Sequence, residues 1–455
     1  MGNSPDRIKP CFNQLSFILQ GVLFLLLINK PVSSTAQASI EITDSSSNRR
    51  FTNWARTNAF PIQNTDRAKG SADLEPLKKI IRNARIVALG EPAHGIHTLL
   101  ALRNRMFRFL VENLGFTTIV LEAGFAESYV AADFIAGGPG TAQEAAAKLT
   151  IGSPSLENVA LLQWMRHYNA NPAHKHRLKF YGMDMQLRGF PGDTTPSHAA
   201  IDEALRYLRQ VSPEDAVKLE SAIVTYLPRL SVAKYPLLSS EEHNSLSATL
   251  DDLIALFERE RINFINSSSK NKYEWAYRNA ILARQTDRIV RVTSREQPGK
   301  ISPDAWKAMN ARDAAMTDNL IWILNSETER GKVLVVAHNA HVKNEVTTGG
   351  VWDSFAKPPN SMGQYLKSIF PKNDVFIIGS SCTPSLVEAH STSLDRALLQ
   401  VGKPRFILDL KPASRNPYVS AWLKMRRPME ANKVSYLMLC ASDAFDGLLF
   451  INEIR

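Results

Sequence analysis

The side chains best able to do chemistry in this sequence are histidines and carboxylates that stand where apolar runs end. The segment "VALGEPAHGIHTLLAL" places Glu91, His94 and His97 between an apolar run and an amphipathic one. Because Glu91 and His94 are three positions apart, the carboxylate can orient the imidazole and stabilise its protonated form. This pattern predicts a general base that works near neutral pH. His97, one residue into the following helix, is interpreted as a capping or surface histidine.

A second histidine pair, His338 and His341 in "VVAHNAHV", has the spacing of one helical turn, which sets both rings on one side. Such a pair serves either as metal ligands or as a base with a companion. With His94 and the carboxylates it could bind Zn or Fe, although the tighter H-E-x-x-H signature is absent from the sequence. Both interpretations stay open at this point.

Two other chemistries lack their sequence motifs. A serine hydrolase would carry a G-x-S-x-G elbow, which "IGSSCT" does not supply. The phosphate-binding loops G-x-x-x-x-G-K-[ST] and G-x-G-x-x-G are also absent from the sequence. Direct attack by a base-activated water therefore requires no part that the sequence lacks.

The elements that must position these residues are short β-branched runs separated by helical patterns. The runs are "ARIVALG", "FTTIVLEAG", "RLKFYGMD", "GKVLVVAHN", "DVFIIGSS" and "PRFILDLK". Continuous apolar strands that alternate with helices predict an α/β fold, with a mostly parallel central sheet flanked by helices in an α/β/α arrangement. From about 197 to 326 the pattern is helical with almost no strand signal, which indicates a helical insertion packed over one end of the sheet, above the cleft.

In an open parallel sheet, ligands bind beyond the carboxyl ends of the strands. The polar residues that follow successive strands should therefore converge at one edge: Glu91 and His94, Glu122, Asp184, and His338 with His341. Asp184 could instead cap the helix that follows its strand.

Arg103 lies in an unusual place on the predicted helix from about Ile96 to Leu114, which Gly115 should end. At 100° per residue it falls within the apolar stripe of that helix, whereas Arg105 and Arg108 fall on the other face. A buried guanidinium needs an anionic partner, and helical side chains lean toward the N-terminus, where Glu91 and Glu122 should lie. The alternative is that Arg103 extends to solvent at the rim.

The N-terminus resembles a secretory signal. Arg7 and Lys9 precede the apolar stretch "LSFILQGVLFLLLIN", and Ala36 and Ala38 then form an A-x-A cleavage pattern. We therefore expect a signal peptide over 1–38, a flexible segment over 39–70, and a secreted or periplasmic protein without stable membrane insertion after cleavage. An uncleaved anchor is the alternative, but the apolar stretch is shorter than the ~20 residues of a bilayer span.

Composition adds weaker constraints. The 455 residues carry a net charge of +10, but the Lys and Arg residues are scattered rather than interleaved with aromatics, so we expect no nucleic-acid partner. Cleavage would remove Cys11 and leave Cys382 and Cys440, which form either one disulfide or two buried thiols.

Several segments together resemble a known family. They are "ALGEPAHGIHTLLALRNRMFRFLVENLGFTTIVLEAGFAES", "LLQWMRHYN", "FYGMDMQ", "RDAAMTDNLIWIL", "VVAHNAHV" and "FDGLLFINE". In this order, from about residue 75 to the C-terminus, they are similar to the successive blocks of the erythromycin esterase family. The resemblance implies a hydrolase domain over 71–455 and a small-molecule ester substrate such as a macrolide macrolactone. It further implies antibiotic-resistance chemistry, histidine-activated water, no covalent intermediate and no required cofactor.

The resemblance also implies residue roles. His94 would be the general base and Glu91 its acidic companion, with Glu122 as a second site carboxylate. Arg103 and His338 would position substrate or stabilise the oxyanion. A supporting, substrate-binding role is assigned to His341 and Asp184.

Alternatives remain beside the esterase interpretation. Pro92 and the pair Ile96 and His97 depart from the common pattern of the family, which affects substrate identity more than reaction type. Distant relatives of this fold resemble haem- or iron-binding lipoproteins, so an exported metal- or haem-binding protein without hydrolase activity is the second hypothesis. A non-enzymatic structural protein is the third.

Overall fold

The computed structural model describes residues 37–65, 70–149, 155–185, 198–231, 233–293, 302–326, 331–384, 392–433 and 435–452. The strands are β1 (Phe60–Pro61), β2 (Ile86–Glu91), β3 (Phe116–Gly124), β4 (Lys179–Asp184), β5 (Lys332–His338), β6 (Val375–Cys382), β7 (Arg405–Asp409), β8 (Arg426–Ala431), β9 (Ser435–Cys440) and β10 (Gly447–Ile451).

The α-helices are α1 (Gln37–Asn58), α2 (Pro76–Ile81), α3 (His97–Leu114), α4 (Tyr129–Ala136), α5 (Ala142–Ala147), α6 (Leu156–Ala170), α7 (Ala199–Val211), α8 (Pro213–Ile223), α9 (Ser240–Arg259), α10 (Arg261–Ser267), α11 (Lys270–Thr293), α12 (Trp306–Ser326), α13 (Asn339–Val342), α14 (Met362–Ile369), α15 (Leu394–Leu399), α16 (Pro417–Leu423) and α17 (Ala441–Ala444). In the described part of the chain, none of them is both long and apolar enough to span a bilayer. The expected signal peptide over 1–38 lies outside the described residues, apart from residues 37 and 38 at the start of α1.

The predicted α/β fold is confirmed. Eight strands form one sheet in the order β1-β7-β10-β6-β2-β5-β3-β4, and β8 pairs with β9 in a separate hairpin. The strands β10, β6, β2, β5, β3 and β4 pair in parallel, whereas β7 is antiparallel to both of its neighbours. Central strands β2 and β6 are buried along their whole length, because helices cover both faces and apolar side chains contact each layer.

The register of the central strands brings the predicted site residues to one edge. Glu91, the last residue of β2, pairs directly with His338, the last residue of β5. Glu122 lies where the pairing of β3 with β4 shifts between Leu121 and Gly124. A Cβ at Gly182 on β4 would collide with the carbonyl oxygens of Ala123 and Gly124, so this glycine is what allows β3 to bulge toward β4.

The helices after β4 divide into two groups. Helices α7–α11 enclose a hydrophobic cluster of their own, which includes Leu205, Leu250, Phe257 and Tyr273. Helix α12 instead packs against β4 and places Met316, Leu320 and Ile323 in the core of the sheet. Between 198 and 326 the described residues form no strand. The chain therefore returns to the central layer at α12, within the range predicted as insertion.

The expectation of a flexible segment over 39–70 was wrong for much of its length. Helix α1 ends at Asn58, and β1 pairs with β7 at the edge of the sheet. Phe51 is fully buried and stacks on Trp422 with ring centroids 3.7 Å apart. Tertiary packing of this one aromatic face orders a helix whose Ser- and Asn-rich sequence has little intrinsic helical propensity.

Helix α3 begins within one residue of its predicted start and ends at the left-handed Gly115, as expected. The helical pattern placed Arg105 on the face of α3 opposite the apolar stripe. In the structure, Arg105 is nevertheless about as buried as Arg103. Its guanidinium bonds to the Asp73 carboxylate and to the carbonyls of Asn64 and Gly70. The segment before α2 therefore covers the face that the helical pattern left polar.

The cysteine alternatives are also decided in this structure. Cys382 and Cys440 are both buried free thiols. Burial, together with the Asp395 and Glu430 carboxylates, raises the pKa of Cys382 to about 12, so this thiol stays protonated at neutral pH.

Candidate active site

Glu91 and His94 form a hydrogen-bonded pair at the carboxyl end of β2. The Nδ1 atom of His94 lies 3.1 Å from Oε2 of Glu91. Gly95 follows with a positive φ of 77°, and this turn separates the pair from the start of α3. The His94 side chain is 25% exposed, and no described residue hydrogen-bonds to its Nε2 atom. The Glu91 bond leaves Nε2 as the nitrogen that can meet a ligand from the cleft.

His338 packs beside His94 but uses both of its ring nitrogens on the backbone. Its Nδ1 accepts the Ala340 N–H at 3.2 Å as the N-cap of α13, and its Nε2 lies 3.2 Å from the Pro92 carbonyl oxygen. Because a carbonyl only accepts, the proton is on Nε2. Burial and the nearby His94 lower the pKa of His338 to about 3. His338 is therefore a neutral ring that holds the Pro92 loop, with its centroid 5.5 Å from that of His94.

Glu122 is the central carboxylate of the edge. Its Oε2 accepts the backbone N–H of His338 at 2.8 Å, and its Oε1 accepts Nη2 of Arg312 at 2.7 Å. The same Oε1 lies 3.4 Å from Nε2 of His341. Burial alone would raise the pKa of this carboxyl, but the charges of His341 and His94 hold it well below its ordinary value. Glu122 is thus a fixed anion shared among several cationic groups.

His341 forms a second histidine–carboxylate pair. Its Nδ1 lies 2.9 and 3.0 Å from the two carboxylate oxygens of Asp313, and both side chains are buried. The pKa of His341 is raised to about 10, because the Asp313 and Glu122 charges outweigh the effect of burial. The His341 imidazole is therefore protonated at neutral pH.

Arg312 connects Asp184, at the end of β4, with Glu122 and His341. It binds Asp184 through Nε at 3.1 Å and Nη2 at 2.6 Å, and its Nη1 lies 3.2 Å from Nε2 of His341. Burial acts against its charge, but Asp184 and Glu122 raise the pKa of Arg312. The side chain is nevertheless 23% exposed, so it combines a fixed position with partial access to solvent.

Arg103 is buried at the edge, as the helix pattern predicted, but its hydrogen bonds go to amides. Its Nη2 donates to Oδ1 of Asn104 and Oδ1 of Asn158, both at 2.8 Å, and it is only 2% exposed. Burial lowers its pKa, while the Glu91 and Glu157 charges act in the opposite direction. Arg103 thus joins α3 to α6 behind the Glu91–His94 pair.

The structure brings all of the predicted residues to one edge of the sheet. Sequence reasoning missed two residues of this edge, Arg312 and Asp313 on α12. In the sequence their segment, "RDAAMTDNLIWIL", stands out only as a family block. The signal from a consecutive Arg and Asp is weak, because α12 carries other polar residues, among them Lys307, Asp318 and Asn319. The predicted insertion also included α12, which in the structure packs against β4 and covers the sheet.

The comparisons with known proteins agree with this geometry. The family model for erythromycin esterase matches residues 111–454. Erythromycin esterase type II of Escherichia coli is 30% identical over 325 residues, which cover 70% of this chain and 74% of that protein. The chain belongs to the erythromycin esterase family. This membership supports an esterase-type hydrolase that acts on small molecules.

Solved structures of similar fold extend over nearly the whole chain. The crystal structure of a Bacillus cereus protein has a TM-score of 0.74 and 25% identity, and it covers 90% of this chain and 98% of that one. An erythromycin esterase mutant in its open conformation has a TM-score of 0.63 at 15% identity and covers 86% of this chain and 96% of that one. The second likeness shows the fold alone.

The hypothesis that the histidines form a metal site does not fit the described geometry. Among the described residues, one set of His, Cys, Asp and Glu ligand atoms converges closely enough to hold an ion, that of Glu345, Cys440 and Asp443. His338 is committed to two backbone groups, and Nδ1 of His341 is committed to Asp313. In this member of the erythromycin esterase family, protein groups therefore occupy both ring nitrogens of His338 and one ring nitrogen of His341.

Proposed function

We propose that this chain is an exported esterase that cleaves an ester or lactone, such as a macrolide macrolactone, with a water activated by His94. The observation that carries the proposal is a partly exposed histidine, His94, whose Nδ1 is held by Glu91 and whose Nε2 has no hydrogen-bond partner among the described residues. Family membership supports the reaction class, and the apolar N-terminal stretch with its A-x-A pattern supports export.

The proposed first step takes a proton from water to Nε2 of His94. The water oxygen forms a bond to the acyl carbon, and the carbonyl electron pair moves to the carbonyl oxygen. The tetrahedral intermediate then expels the alcohol oxygen, which receives the proton from His94 as the carbonyl bond re-forms. Glu91 keeps the ring in one orientation and stabilises its cation during the step.

We assign the stabilisation of the oxyanion to Arg312. This assignment replaces the one that the resemblance implied for Arg103 and His338. Arg103 is 2% exposed and bound to amides, whereas Arg312 is 23% exposed at the same edge. Asp184 acts in this proposal as the anchor of Arg312, since its carboxylate receives two of the guanidinium nitrogens.

The space for the rest of the substrate lies under helices α7 and α11. An open pocket begins at Asp184, and its wall is partly apolar, with Met185, Ile201, Leu230 and Leu282, and partly polar, with Glu127 and His198. We propose that the apolar part of the ester contacts the apolar part of this wall. Tyr235 and Thr286 add hydroxyl groups to the wall.

The test is hydrolysis of a panel of macrolides and simple aryl esters, followed by mass spectrometry, with and without chelator. We expect a macrolide product heavier by one water, or the acid and phenol from an aryl ester, with turnover that is insensitive to chelator and lost in His94→Gln. Single turnover in water enriched in heavy oxygen should place the label in the product acid, as direct attack requires. A folded protein that is inert on every ester would contradict the proposal, and haem absorbance in that protein would favour the binding-protein hypothesis.

A further inference from the structure

The Asp313–His341 pair is buried and is held by more hydrogen bonds than an exposed ion pair usually has. Both Asp313 oxygens contact Nδ1 of His341, and one of them also accepts the Met362 N–H at 2.7 Å. Met362 is the first residue of α14, so the positive end of that helix faces the carboxylate. This clamp turns Nε2 of His341 toward Glu122 and Arg312.

The carboxylates at this edge outnumber its guanidinium groups. The carboxylates of Glu91, Glu122, Asp184 and Asp313 face the guanidinium groups of Arg103 and Arg312 in a mostly buried site. Glu157 adds a carboxylate beside Arg103, and Lys343 adds a cation beside Asp313. His338 is the neutral ring, so protons on His341 and His94 are the ones that offset the excess of negative charge.

We propose that Asp313 is a positioning residue that keeps His341 as the permanent counter-cation of Glu122, so that the other imidazolium, His94, is free to give up its proton. This proposal rests on the proposed role of His94 as the base. If His341 were neutral, Glu122 would have Arg312 and His94 as its remaining cationic partners, and it would hold the proton on His94 more tightly.

The groups that face His94 come from four elements. Glu91 ends β2, the strand before His94, and Glu122 lies on β3, while His338 ends β5 and His341 lies on α13. Burial lowers the pKa of His94, and His341 lowers it too, but Glu122 and Glu91 outweigh them and leave it above the ordinary value. His341 is therefore the group at this edge that limits how strongly Glu122 retains the His94 proton.

The experiment compares Asp313→Asn with Asp304→Asn in the full-length protein. Asp304 forms an exposed pair with Lys307, so it supplies the same substitution at an ion pair outside the site and outside the proposed substrate pocket. Histidine ring signals followed by NMR over pH, assigned with His94→Gln and His341→Gln, give the titration of His94 directly. The pH profile of kcat/KM gives the same information during turnover.

We expect Asp313→Asn to move the His94 titration and the rising limb of kcat/KM to higher pH. At a fixed pH below that limb, each unit of displacement lowers kcat/KM about tenfold, and activity should recover above it. Asp304→Asn should leave both curves in place. A His94 titration that does not move in folded Asp313→Asn, or an equal loss of kcat/KM at every pH, would overturn the proposal.

The proposal can still be tested if Asp313→Asn does not fold or if no ester substrate is found. If Asp313→Asn does not fold, the wild-type spectrum decides, because a His341 ring that is neutral at pH 7 contradicts the fixed cation. If no ester is hydrolysed, the NMR titration still tests the effect of Asp313 on His94. Failure of the proposed function and failure of this inference are therefore distinguishable.

Discussion

The site contains two histidine–carboxylate pairs that form the same kind of hydrogen bond but differ in their surroundings. In both, Nδ1 of the ring contacts a carboxylate at about the same distance, 3.1 Å for His94 with Glu91 and 2.9 Å for His341 with Asp313. The His94 side chain is 25% exposed, whereas that of His341 is 7% exposed and faces Glu122 and Arg312. The same pairing thus produces an accessible proton acceptor in one place and an internal cation in the other.

Among substitutions that distinguish the two pairs, His94→Gln is expected to have the largest effect on kcat/KM. Glutamine preserves a polar side chain but cannot take a proton from water, so kcat/KM should fall by roughly 10²- to 10⁴-fold. The melting temperature should change little, because the ring is partly exposed. A variant that retains near wild-type turnover would show that the accessible pair is not the catalytic one.

The two arginines should also differ. Arg312→Gln removes the cation that faces the cleft, and we expect kcat to fall by about 10²- to 10³-fold. Arg103→Gln should mainly destabilise the contact of α3 with α6, so its effect should appear in the melting temperature more than in kcat. Kinetics and thermal unfolding of both variants check this, and the reverse ranking of kcat would return the oxyanion role to Arg103.

Glu91→Gln should have an intermediate effect that depends on pH. The carboxylate raises the pKa of His94, so its loss should move the rising limb of kcat/KM to lower pH. Loss of a hydrogen bond to a charged group, worth about 1.5 to 3 kcal/mol, should also lower the plateau by roughly tenfold to a hundredfold. A limb that moves to higher pH would contradict the role of Glu91 as the companion of His94.

The smallest effect is expected from a third pair that serves as a control. His97 contacts Glu157 at 3.1 Å, but its side chain is 55% exposed. His97→Ala should change the free energy of unfolding by about 1 kcal/mol or less and leave kcat/KM within about twofold of wild type. A large kinetic loss would place His97 in the site, against its interpretation as a surface histidine.

The sequence predicted the fold, and the sheet edge at which the site residues meet, because both follow from strong local patterns. Continuous apolar strands and polar residues at their ends indicated a parallel sheet and the convergence of Glu91, Glu122 and His338. The ordered helix α1 was not predicted, since it depends on the distant contact of Phe51 with Trp422. Long-range packing of this kind leaves no periodic trace in the segment itself.

Individual roles at the site were harder to predict than its location. Whether a histidine is a base or a cap depends on which groups reach its two nitrogens, and for His338 these are the backbone of Pro92 and Ala340. Arg312 and Asp313 lie 190 and 28 positions from their partners Glu122 and His341. Such contacts require the three-dimensional placement of α12 and cannot be derived from spacing.

The most direct test of the difference between the two pairs is an NMR titration of both rings in the wild-type protein. The account predicts that His94 loses its proton at a pH above its ordinary value, and that His341 remains protonated until about pH 10. It would be contradicted if His341 were neutral at pH 7, or if the two rings titrated together. Either result would mean that the buried pair is not the fixed cation that leaves His94 free to act as a base.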